Sequence, residues 1–170
     1  LAAKLLDMQV KASEYPNLSL LVENAADSSA LQVEQIRSLI ERKVDLLIVS
    51  ANEAEPVTSV VEEAYRAGIP VVLVDRKINS EAYTTYIGGD NAEVGRRVGY
   101  YVNNQSEGKP LTVLEIWGLP GSSAARDRHG GFEEVLNRNI RIRSLNGRWK
   151  PEVVEQELMR MDSLDKVDVV

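Results

Sequence analysis

Ile69-Pro70-Val71-Val72-Leu73-Val74-Asp75-Arg76 is the stretch whose reading decides the fold. Its apolar residues, most of them β-branched, make a run too short for a buried helix and read as a strand covered on both faces. Gly68 stops the helix before it, and an adjacent acid and base close it. Strands covered on both faces belong to parallel sheets, and in open α/β sheets ligands sit beyond the carboxyl ends of such strands. Asp75 and Arg76 therefore stand either where a small polar molecule is held or at the start of an ordinary surface loop.

The same rhythm extends to both sides. Upstream, Val44 to Val49 (VDLLIV) reads as a second doubly covered strand ending at Ser50-Ala51-Asn52, and Leu18 to Val22 as an earlier one. These strands start about every 26 residues, the length of one βα unit. Between them, Ser29 with Gln32 fits a capping box ahead of the helical stripe Leu31, Ile36, Leu39 and Ile40. Pro56 suits the first turn of a helix whose Val57, Val60, Val61, Ala64 and Tyr65 are expected to face inward. The chain starts within a helix, with Leu1, Leu5, Met8 and Ala12 on one stripe, and Pro16-Asn17 ends it.

Past Arg76 the rhythm breaks. A polar loop leads to a short strand, Thr85 to Ile87, and then to Gly88-Gly89-Asp90-Asn91, where the glycines free the backbone to turn. Asp90 with Glu93 caps the next helix, predicted to pack through Val94, Val98 and Val102. A second series follows: strand Leu111–Trp117, helix Ser122–Leu136, strand Ile140–Leu145, helix Pro151–Asp162, and a final strand from Val167. The expectation is an α/β protein of two Rossmann-like three-layer lobes with parallel sheets, residues 1–89 and 90–170. Each lobe lacks part of its sheet, with a strand expected before Leu1 and more after Val170. A single complete flavodoxin-like domain is the alternative.

Composition removes several function classes. A net charge of −6 and a pI near 5.0 argue against a nucleic-acid surface, which needs clustered Lys and Arg. With no cysteine there is no disulfide framework, thiol nucleophile or Cys-based zinc site. The single histidine, His129, sits in the charged stretch RDRHGGF and reads as a surface residue, since no orienting partner can be named for it. No residue cluster has metal-ligand spacing, and no cofactor is expected. The segment from Glu115 to Ser123 could present backbone N–H groups to a phosphate. It is neither a Walker loop nor a dinucleotide fingerprint, and a tight turn with serine caps is the preferred reading.

Arg128 is more informative. Ala125, Arg128, Phe132 and Val135 share one helix face, so Arg128 must snorkel out or find buried acceptors near the end of the preceding strand. Arg126 points nearly opposite, towards solvent. Trp149 follows another strand end across an Asn-Gly turn, as lobe packing or as a flat wall for a ligand. Ser50, Asp75, Arg76, Arg128 and Trp149 together offer an acceptor, forked donors and an aromatic face. That combination suits a neutral polyhydroxylated ligand, a sugar.

These residues resemble a family. DLLIVSANE, AGIPVVLVDR, YIGGDNAEVGR, GSSAARDRHGGF and Trp149 before a helix occur in the order seen in type I periplasmic sugar-binding proteins of the ribose-binding and LacI effector-domain kind. The resemblance implies that Asp75, Arg76 and Arg128 hydrogen-bond a sugar, that Trp149 walls it, and that Ser50 stands where ribose binders carry Asn. It is most similar to the periplasmic sensor domains of Bacteroides-type hybrid two-component histidine kinases. It implies a periplasmic, non-enzymatic clamp, hinged at Gly88, Gly89, Asp90 and Asn91, that closes on its ligand. It leaves open a homodimer, and it implies contact with the membrane only through parts outside these residues. The alternatives are a transport receptor and the effector domain of a LacI-type regulator. With its cleft incomplete, the 170-residue chain alone is expected to bind sugar poorly in a direct titration.

Overall fold

The computed structural model describes residues 2–162 and 166–170. Its elements, in order, are α1 (Ala2–Ser13), α2 (Ser29–Glu41), β1 (Leu47–Val49), α3 (Ala54–Arg66), β2 (Val71–Val74) and β3 (Thr85–Ile87). They continue with α4 (Asn91–Ser106), β4 (Leu111–Trp117), α5 (Ser123–Val135), β5 (Ile140–Asn146) and α6 (Pro151–Arg160). Leu1, assigned to the first helix from its spacing, lies outside the described residues. All pairings are parallel: β1-β2-β3 form one sheet and β4-β5 another. Val169 adds a parallel bridge to Val113, opposite the edge that pairs with β5.

The first core forms because α2 and α3 lay apolar stripes on one face of the first sheet. Val57, Val60 and Val61 of α3 and Val71 and Leu73 of β2 are fully buried, with Ile36 and Leu39 of α2 beside them. Each such side chain contributes about 1.5–3 kcal/mol. Gly68 ends the α3 turn at φ +83, a conformation that costs glycine nothing. The expectation of strands covered on both faces is not met. Ile48 is 43% exposed and Val72 and Val74 are half-buried, because both helices pack on the face of Leu47, Val49, Val71 and Leu73. Tyr65, expected inward, likewise lies outside that contact and is exposed.

Other local readings need correction too. Leu18 to Val22 forms no strand and is exposed, since no described strand lies alongside to share a ladder. The α2 cap is Ser28, which accepts from Leu31 N; the Gln32 side chain instead donates to Ser50 O and accepts from Asn52 N. Gln32 thus braces the loop after β1 rather than closing a capping box.

The second lobe is organised by glycine. Val102 of α4 enters the core with Val113, Phe132 and Ile140, but Val94 and Val98 are 46% and 50% exposed. The buried face of α4 carries Asn91, Gly95, Gly99, Val102 and Ser106. A Cβ on Gly95 would overlap the Arg128 carbonyl, and one on Gly131 would overlap the Ala92 carbonyl. The two helix backbones therefore touch directly, and this turns the valines outward. Gly95→Ala should cost about 1–3 kcal/mol, lowering Tm by roughly 3–10 °C in a thermal melt. Gly89→Ala, which meets open space, is the matched control and should melt like the parent.

Candidate functional site

The carboxyl ends of β1, β2, β4 and β5 face one crevice between the lobes. A cavity of about 170 Å³ lies there. Asp27, Asn52 and Arg76 line it from one side, and Leu119, Arg148, Trp149 and Lys150 from the other. Arg76, following β2, donates through one terminal nitrogen to Asn52 O at 2.8 Å. That bond aims the guanidinium along the cavity wall. Asp75 has φ +69, uncommon for a residue with a Cβ, and its N–H donates to Ile87 O at 2.8 Å. The pairing with β3 thus holds the strained turn that places Arg76. Asp75 itself lines neither this cavity nor the one described below. Ser50 also stays outside them; its carbonyl accepts from Gln32.

Trp149 is set by its backbone. Arg148 and Trp149 are successive left-handed residues, φ +52 and +61, after the Asn146-Gly147 turn. The indole lies over Gly118, where a Cβ would overlap the ring, and the Arg128 guanidinium sits 5.6 Å from the ring centroid. Such a cation–π contact is worth roughly 0.5–2 kcal/mol. Arg128 Nε donates to Asn91 Oδ1 at 2.9 Å. Arg128 is itself exposed, so it reaches out of its helix face to one buried acceptor and one aromatic face.

Several bonds join the two lobes around the crevice. Ala54 N donates to Gly121 O at 2.9 Å, and Lys77 N to Ser123 Oγ at 2.7 Å. Arg126 donates to Asn79 Oδ1 at 2.8 Å, and Lys150 pairs with Asp27 at 3.2 Å. Arg126 is exposed, as its helix position suggested, and it also finds an acceptor on the opposite lobe. The loop from Gly118 to Ser123 uses its polar groups here and in capping: Ser122 Oγ accepts from Ala125 N. That agrees with a capped turn.

His129 is not the surface residue expected from its charged surroundings. Nδ1 lies 3.0 Å from Glu115, Nε2 lies 3.2 Å from Glu133, and the ring packs 4.3 Å from Trp117. Glu115 also accepts from Trp117 Nε1 and Ser144 Oγ. This network braces the end of β4 under Gly118. Among the described residues, no group of three His, Cys, Asp or Glu side chains could hold a metal ion.

A second, more open cavity of about 300 Å³ flanks the crossover between lobes, among Lys77, Tyr86, Asp90, Asn91 and Asp127. Burial first, and then the charges of Asp75, Asp127 and Asp90, push the Tyr86 phenol above its ordinary 10.0. Sequence reasoning missed Asp27, Asn52, Arg148 and Lys150 as cavity residues. The signal was present: Asn52 follows a strand, and Arg148 and Lys150 flank Trp149 across the same turn.

Two parallel-sheet lobes whose strand ends meet over a polar crevice with an indole wall define a ligand-binding domain. Residues 6–170 match the family model described as periplasmic binding protein domain, and the chain belongs to that family. It is a binding domain and not an enzyme. The chain is 40% identical to the fructose-binding periplasmic domain of the hybrid two-component system BT1754, across 99% of this chain and 58% of that one, with a TM-score of 0.85. It is 32% identical over 141 residues to the galactofuranose-binding protein YtfQ of Escherichia coli strain K12, covering 79% of this chain and 44% of the relative. It is 26% identical over 132 residues to the ribose import binding protein RbsB of Bacillus subtilis strain 168, covering 78% and 43%. The chain thus spans less than half the length of these curated relatives. The periplasmic location expected from the resemblance agrees with the family and with the BT1754 domain.

Two measurements check this geometry. Gly118→Ala should displace the Trp149 indole and shift its fluorescence while leaving far-UV circular dichroism unchanged. In an alkaline absorbance titration, Tyr86 and Tyr83 should ionise above the ordinary tyrosine value of 10.0, Tyr83 through burial and Glu81. Because the folded state holds these protons more tightly, their stabilisation is present below pH 10 and is lost as pH rises further. Asp75→Asn should move Tyr86 part of the way back and leave Tyr83 alone.

Proposed function

We propose that this chain is the sugar-binding part of a periplasmic sensor, the input domain of a hybrid two-component histidine kinase. A monosaccharide is held first by Asp75 and Arg76, with Ser50 contributing, on a lobe of residues 1–89. Arg128 and Trp149 on a lobe of residues 90–170 complete the cage. The second set of contacts exists only when the lobes are closed, so ligand shifts the population towards closure. The crossover Gly88 to Asn91 serves as hinge, and closure changes the spacing of whatever is attached to the two lobes.

The observation that carries this reading is that Arg76 and Trp149, from two separate sheets, line one cavity, with the Arg128 guanidinium against the same indole. Forked donors match vicinal hydroxyls, and an indole face matches the C–H face of a sugar ring. The sensor assignment is supported by the 40% identity to a domain named for fructose binding in a two-component system. A transport receptor is the second reading, supported by the curated relatives named for ribose import and galactofuranose binding. The sequence flanking these residues in the gene separates the two, since only a sensor continues into a membrane segment and a kinase.

Calorimetric titration of the protein as its gene encodes it, against fructose, ribose, galactofuranose and their common epimers, tests the reading. At least one sugar should bind, and Asp75→Ala or Arg76→Ala should weaken it by about 30-fold or more without lowering Tm. Unchanged affinity in both variants would refute the assignment.

A further inference from the structure

We propose that Asn91 is a positioning residue, holding the Arg128 guanidinium against Trp149 and tying that grip to the crossover at Gly88–Asn91. This rests on the sugar-clamp reading and goes deeper into the same site.

Asn91 is the first residue of α4 and only 8% exposed. A buried amide needs partners, and this one has two. Its Oδ1 accepts from Arg128 Nε at 2.9 Å, and its Nδ2 donates to Gly89 O at 3.4 Å, within the crossover itself. One side chain therefore joins the segment linking the lobes to the arginine on α5. The arginine is held a second time one helical turn on. Gly95, on the same face of α4, lets the Arg128 carbonyl come so close that a Cβ would overlap it. Backbone and side chain of Arg128 are thus fixed by residues four apart on one helix.

The choice of nitrogen matters. By engaging Nε, Asn91 fixes the plane of the guanidinium. The two terminal nitrogens make no hydrogen bond among the described residues. These form the outward edge of the fork, the edge that suits paired hydroxyls. The same plane places the cation 5.6 Å from the Trp149 ring. Without the amide, a long and flexible side chain would have to be ordered by the ligand, and that entropy would be taken from affinity.

Two readouts on the protein as its gene encodes it test the inference. The first needs no ligand: Trp149 emission in a Trp117→Phe background. Asn91→Ala should change it in the same direction as Arg128→Ala, and Asn91→Asp, which keeps an acceptor for Nε, should restore it. The second is affinity for the sugar found above. Asn91→Ala should weaken binding about tenfold, and the double variant with Arg128→Ala should bind no worse than Arg128→Ala alone. Parental emission in Asn91→Ala, or losses that add in the double variant, would overturn the proposal. So would full affinity in Asn91→Ala where Arg128→Ala loses it. An Arg128→Ala protein with undiminished affinity would instead bring down the sugar-clamp reading. If Asn91→Ala proves unstable in a melt, Asn91→Asp against Asn91→Leu repeats the emission comparison.

Discussion

The backbone contact between α4 and α5 is the constraint on which the second half of the molecule depends. Gly95 and Gly131 remove the side chains that would hold the helices apart, so each helix meets the other's carbonyls. That approach sends Val94 and Val98 outward and turns Asn91 inward. It also lays Arg128 between the start of α4 and the indole after β5. Small residues here act as spacers of defined thickness, and the site inherits its geometry from them.

The first half uses a different device. There the helices hold one face of the sheet with branched aliphatics, and the strand ends are placed by backbone pairing. The N–H of Asp75 bonds Ile87, and the Arg76 guanidinium bonds the loop after β1. Polar bonds across the crevice, Ala54 to Gly121 and Lys77 to Ser123 among them, then join two independently packed cores.

Much of this was legible in the residues. The strand β2 with Asp75 and Arg76 after it, the Asp90 cap and the polar turn before α5 all follow from local chemistry, and local chemistry is what a linear pattern records. The errors share one cause. Leu18 to Val22, Tyr65, Val94 and Ile48 are apolar residues whose burial depends on what stands opposite, and no periodicity states that. The partners of His129 and Arg126 were hidden for the same reason: Glu115 and Asn79 come from other elements. Asn91 was legible as part of a turn but not as an acceptor for Arg128, which lies on a different helix.

The left-handed pair Arg148–Trp149 has an evolutionary corollary. A ring aimed by a sharp backbone corner keeps its address when its identity changes, because the corner does not depend on which aromatic it carries. Phenylalanine, tyrosine or tryptophan can stand there with the surrounding scaffold left alone. One codon therefore sets the shape of the crevice wall at this point, and the core need not change with it.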